Sequence, residues 1–206
     1  MIFEFDSISL IQLAKKADPP IIFQEGRELT AYIKAGRTDV LDSIIDGPTL
    51  EFLQAHIRRD AILVPVPRSA PLLPKAVWPA HLLCEKLIQD GFGSEIQTLL
   101  RRIRAVQTGH LHTAAVERAT VEQHYDTINT TKLPLTAPVR IVLVDDVITQ
   151  GRTAVACYRR LNDAFPHAQI SIFTPVITRS FDKETLLLNP QIRKVRYFET
   201  GRAMVV

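Results

Sequence analysis

Apolar positions along this chain recur with two different periods. Residues 26–36 (GRELTAYIKAG) and 47–59 (GPTLEFLQAHIRR) place them at helical spacing, and Pro48 supplies the fixed backbone angle that a first helical turn accepts. AILVPV (61–66) is a short apolar run that predicts a buried strand, opening into a proline-rich loop, PRSAPLLPKAVWP. PAHLLCEKLIQD (79–90) is helical again and is stopped by Gly91 and Gly93. IQTLLRRIRA (96–105) reads as a basic strand, followed by a Gly/His/Thr loop and a helix around 113–125. A strand RIVLVDD (140–146), a helix over 152–164, and strands QISIFT (169–174) and KVRYFE (194–199) complete the chain.

Strands alternating with helices predict an α/β fold with a central, mainly parallel sheet flanked by helices. Ligands of such sheets sit beyond the carboxyl ends of the strands. VPVPRS (64–69), RRIRAVQTGH (101–110) and DDVITQGRT (145–153) should therefore share one edge. A chain of 206 residues fits a single domain, with a core at about 55–178 and extensions at 1–54 and 179–206. Apolar residues make up 46% and charged residues 23%, which supplies a packed core and excludes general disorder.

The chemistry concentrates in IVLVDDVITQGRTA (141–154). Ile141 to Val144 drive a buried strand, and Asp145 and Asp146 emerge side by side at its tip, where like charges need a compensating partner. A glycine-containing turn then enters a helix whose first amides are unpaired, with the hydroxyls of Thr149 and Thr153 beside it; this is a phosphate cradle. The carboxylates repel such a phosphate, so they must serve a cationic or hydroxylic part of the same ligand. A sugar with adjacent hydroxyls and a 5′-phosphate meets both demands.

VLVDDVITQGRTA resembles the signature with which type I phosphoribosyltransferases bind 5-phosphoribosyl-1-pyrophosphate (PRPP). The resemblance implies the type I phosphoribosyltransferase fold, with a variable hood built from the N- and C-terminal segments. It implies that Asp145 and Asp146 hold the ribose 2′ and 3′ hydroxyls, and that Thr149, Gln150, Gly151, Arg152 and Thr153 wrap the 5′-phosphate. Mg²⁺ would bridge the diphosphate and the ribose hydroxyls, so the two aspartates touch it only through hydroxyls or water. ILVPVP (62–67), LLRRIRAVQTGHL (99–111) with Arg118 downstream, and YIKAGRTD (32–39) are similar to the ComF-type branch, a group of predicted amidophosphoribosyltransferases, over most of residues 30–178. Two features depart from that branch. The cysteine-rich zinc module of many ComF proteins has no counterpart, and KAVWPAH (75–81) stands where RGFNQ is usual, so the link to DNA uptake transfers weakly.

By the same resemblance, Pro67, Arg68 and Ser69 form the pyrophosphate loop, which often carries a strained cis peptide. Arg101, Arg102 and Arg104 lie on the segment leading into a mobile catalytic loop. Strand alternation places Arg102 and Arg104 on one face and Arg101 on the other, and the first two are the candidate catalytic contacts to phosphate. The implied reaction is displacement at ribose C1 by a nitrogen nucleophile with release of pyrophosphate, the acceptor being unidentified. Thr149 stands where purine-type members often have an acid, which disfavours purine salvage. Two alternatives stay open: a non-catalytic PRPP- or nucleotide-sensing regulator, and a competence or defence effector directed at nucleotides or nucleic acid.

The remaining features bound the picture. His110 and His112 have no cysteine or carboxylate at ligand spacing and read as loop residues, while Trp78 and Tyr125 read as core or interface residues. Homodimerisation is common in the family, and apolar residues such as Trp78 could serve an interface, but no sequence feature requires it. A net charge of +3 supports nucleic acid only weakly. Cys84 and Cys157 form no CxxC, so neither a zinc site nor a disulfide framework is expected, and two reduced buried thiols fit the cytoplasm. The run ISLIQLA is too short to span a membrane, so no membrane partner is expected.

Overall fold

A computed structural model of the chain describes residues 1–13, 20–106, 119–131, 139–178 and 188–206. In chain order the elements are β1 (Phe3–Leu13), α1 (Pro20–Lys34), α2 (Gly47–His56), β2 (Ile62–Pro65), α3 (Pro79–Gln89), β3 (Glu95–Ile96), β4 (Leu100–Arg102), α4 (Val121–Asp126), β5 (Ile128–Thr130), β6 (Arg140–Val144), β7 (Val147–Ile148), α5 (Arg152–Ala164), β8 (Gln169–Thr178), β9 (Leu188–Tyr197) and β10 (Ala203–Val205). A 3₁₀ turn at Thr38–Leu41 separates α1 from α2.

The main sheet runs β10-β9-β1-β8-β6-β2-β3, with β7 beside the far end of β8. From β1 to β3 the neighbours are parallel; β9 and β10 join antiparallel, which makes the sheet mixed but mostly parallel. β4 and β5 form a separate antiparallel ribbon.

Helices cover both faces, and β6 shows why. Ile141 and Leu143 pack with Val155, Ala156 and Leu161 of α5, whereas Val142 and Val144 pack with Leu83 and Leu87 of α3 and Leu53 of α2. A strand buried on both faces needs a continuous apolar run instead of an alternating one, and IVLV is such a run. Cys84 and Cys157 are free thiols within these two cores, and burial pushes both well above their ordinary pKa. No helix among the described residues is long and apolar enough to cross a membrane.

Three expectations change. The terminal segments were read as extensions forming a hood, yet β1, β9 and β10 lie within the main sheet, with β1 between β8 and β9. Buried Ser7, Ser9 and Gln12 interrupt the apolar pattern of β1 and conceal it as a strand. The single strand expected over 96–105 is two short strands, because the chain leaves β2 after Ile96 and pairs again at Leu100 with β5. Of the helix expected around 113–125, residues 113–118 lie outside the described residues, and α4 is a short helix opened by a capping box between Thr120 and Gln123.

Candidate functional site

The parallel register of β2 and β6 sets two loops side by side. Pro65 pairs with Val144, and the Val66 N–H donates to the Val144 carbonyl at 2.8 Å, so Pro67–Ser69 and Asp145–Asp146 leave the sheet together. The Asp145 N–H donates to the Phe173 carbonyl of β8 at 3.0 Å, which holds the acidic pair to the sheet edge. Beyond β7 the chain turns at Gly151, the residue preceding α5, with φ +78°. A Cβ there would also lie 3.0 Å from Val195 Cγ1. Glycine meets both demands, and the first amides of α5 have no partners within the helix.

These segments enclose a cavity of about 520 Å³. Its wall contains Pro67–Ser69, the whole run Asp145–Thr153 and Arg102, all expected from sequence, together with Lys34, Trp78 and His124. Arg104 is exposed and does not line it, and Arg101 is exposed on the outer face of β4. His110, His112 and Arg118 lie outside the described residues.

The arginines do not take the positions that simple alternation suggested. β4 ends at Arg102, so Arg102 and Arg104 do not share an environment: Arg102 is only 3% exposed, whereas Arg104 faces solvent. Arg102 Nε donates to the Arg68 carbonyl at 2.9 Å, and Nη1 donates to Thr127 Oγ1 at 2.5 Å and to the His124 carbonyl at 3.2 Å. The Val106 N–H adds a bond to the Ser69 carbonyl at 2.9 Å. Arg102 is thus a buried brace between the loop after β2 and α4. Arg68 Nη1 donates to the Val77 carbonyl and Trp78 Nε1 to the Val66 carbonyl, each at 2.8 Å, which pins the two ends of the proline-rich loop together. The peptide bonds of Pro67–Ser69 are trans. Arg152 Nη1 donates to the Ala119 carbonyl at 3.1 Å and ties the start of α5 to the start of α4.

The acidic pair is electrostatically unresolved. Burial, then the charge of Asp146, hold the Asp145 carboxyl well above its ordinary value; the N–H of Asp146, at 3.0 Å from Asp145 Oδ1, and the more distant charge of Lys34 act the other way. A cation or donor hydroxyls at this carboxyl would favour its ionised form. Among the described residues no group of three or more His, Cys, Asp or Glu side chains is placed to hold a metal. Two adjacent carboxylates fit Mg²⁺ only if ligand oxygens and water complete its six-fold shell.

His124 and Lys34 escaped the sequence reading as individuals. Lys34 lies within YIKAGRTD, at the end of α1, and that stretch was its only signal. His124 had none, because what singles it out is its contact with Arg102. Burial, then the charges of Arg102 and Arg152, lower its pKa to about 4. The chain matches no protein-family model and no curated protein.

Proposed function

We propose that this cavity binds PRPP together with Mg²⁺ and that the protein transfers the phosphoribosyl group to a nitrogen acceptor, releasing pyrophosphate. The observation that carries the reading is the convergence of three features on one cavity: the paired carboxylates at the tip of β6, the glycine-led start of α5 with its threonines, and the Pro67–Ser69 loop. Each suits a different part of one ligand. The amides of α5 and the hydroxyls of Thr149 and Thr153 receive the 5′-phosphate, Asp145 and Asp146 accept from the ribose hydroxyls, and the loop after β2 lies on the diphosphate side. A cavity of about 520 Å³ is in the usual range for a ligand of this size.

In the reaction the acceptor nitrogen forms a bond to C1 as the bond from C1 to the diphosphate oxygen breaks, and the electron pair leaves with pyrophosphate. Bound Mg²⁺ would supply charge neutralisation on the departing diphosphate. The chain's own part is to orient the ribose and to set carboxylate charge near the positive charge that develops on the sugar. Thr149, in place of an acid, supports an acceptor other than a purine.

A second reading, a PRPP-sensing regulator, draws on a different observation: Arg68, Arg102 and Arg152 each donate to a backbone carbonyl, so none is dedicated to the ligand. Isothermal titration of PRPP with Mg²⁺, followed by a pyrophosphate-release assay on the same sample, separates the two. The transferase reading expects binding and slow release, both lost in Asp145→Asn and Asp146→Asn. Binding without release, unchanged across a panel of amine and pyrimidine acceptors, favours the sensor, and no binding by folded protein removes both.

A further inference from the structure

His124 stands in the cavity wall on α4, across from the start of α5. Its Nδ1 lies 3.3 Å from Arg102 Nη2. A guanidinium only donates, so Nδ1 must accept and the ring proton must sit on Nε2. His124 is half-buried in that wall, and among the described residues its ring makes no hydrogen bond besides the one at Nδ1. The ring is therefore fixed in one tautomer by a buried brace and presents a single donor.

The charges around it select what that donor meets. Arg102 approaches from β4 and Arg152 from the start of α5, while Arg68, Lys34, Asp145 and Asp146 line other parts of the same cavity. On its own helix, Glu122 is engaged by the Tyr197 hydroxyl and Arg159; Tyr125 donates to Asp163, and Asp126 is exposed. Two guanidiniums flanking an uncharged N–H donor, opposite the open amides of a helix start, favour an anionic oxygen over a base edge or a neutral hydroxyl.

We infer that His124 is a ligand-contacting residue whose Nε2–H donates to a phosphate oxygen of the bound ligand. The inference rests on the reading that the cavity takes a phosphate-bearing ligand. It does not require that ligand to be PRPP. The phosphate is either the diphosphate or the sugar 5′-phosphate, since Arg102 leads to the loop after β2 and Arg152 to the start of α5.

The test is side-chain ¹⁵N NMR of the histidines in the full chain, titrated separately with pyrophosphate, ribose 5-phosphate and PRPP in Mg²⁺ at constant ionic strength. The His124 Nε2 resonance should move on saturation with PRPP and with one of the two fragments, and that fragment identifies the phosphate. His124→Ala should weaken binding of that fragment by about tenfold or more, as loss of a hydrogen bond to a charged group does. His124→Gln, which keeps an N–H donor at similar reach, should recover most of the loss. If PRPP binds and the His124 ring does not respond, the inference fails and the phosphoribosyl reading stands. If PRPP does not bind but pyrophosphate or ribose 5-phosphate moves the ring, the inference stands and that reading falls. If no phosphate moves the ring, the inference is overturned whatever the variants do.

Discussion

The Asp145 carboxyl sits where its ionisation opposes folding. Its folded pKa is raised above the unfolded value, first by burial and then by Asp146. Between those two values the folded state holds more protons than the unfolded state, so the stability of the ligand-free protein falls as pH rises from about 4 through the raised value. Asp145→Asn removes that dependence and keeps an oxygen to accept the Asp146 N–H. The variant should melt higher than the parent at pH 7 to 8, with the gap closing towards pH 4, and should no longer bind PRPP with Mg²⁺. Thermal melts at several pH values, with and without PRPP and Mg²⁺, measure both effects. A variant that melts lower than the parent at pH 8 would show that the carboxylate stabilises the fold, contrary to its raised pKa.

At the scale of elements, what could be read from sequence depended on how many faces of an element are buried and by what. β2, β6 and α5 were legible because two-sided apolar runs and a clean helical stripe follow from local packing alone. β1 was not, since Ser7, Ser9 and Gln12 are buried polar residues that imitate a solvent face. The ribbon of β4 and β5 was missed because its pairing is set by a distant partner. The paired aspartates and the glycine turn before α5 were visible as one contiguous motif, whereas what singles out His124 is its contact with Arg102.

Gly151→Ala introduces both a positive φ penalty and a 3.0 Å approach to Val195 Cγ1, so Val195 must yield and the turn must shift. Gly91→Ala carries a similar φ of +84° with nothing within 4 Å of the new Cβ. Each change should cost about 1 kcal/mol or more from backbone conformation. Only Gly151→Ala should also weaken PRPP binding, which calorimetry resolves. Equal losses of affinity in the two variants would mean that the geometry of the turn is not what holds the phosphate.

Across the whole molecule, the sheet that carries the cavity is completed by both ends of the chain. β9 pairs with β1 and β10 pairs with β9, which brings Val195 and Val205 beneath Gly151. The C-terminal strands therefore back the turn at Gly151 in addition to completing the sheet, and on the proposed reading packing there should be felt as affinity. Val195 is fully buried in the core on the α5 side, and Leu87 is fully buried in the opposite core, with α3. Truncating either to alanine leaves a cavity, at a cost of roughly 2 to 5 kcal/mol for the leucine and somewhat less for the valine. Val195→Ala removes the support beneath the turn and should lower PRPP affinity by several-fold, while Leu87→Ala should lose more stability at nearly unchanged affinity. Urea denaturation and calorimetry on the two variants decide the point, provided both are assayed under conditions where they remain folded. An affinity that simply follows stability in both would mean that the turn is held by α5 and β7 alone, with the C-terminal strands serving only the sheet.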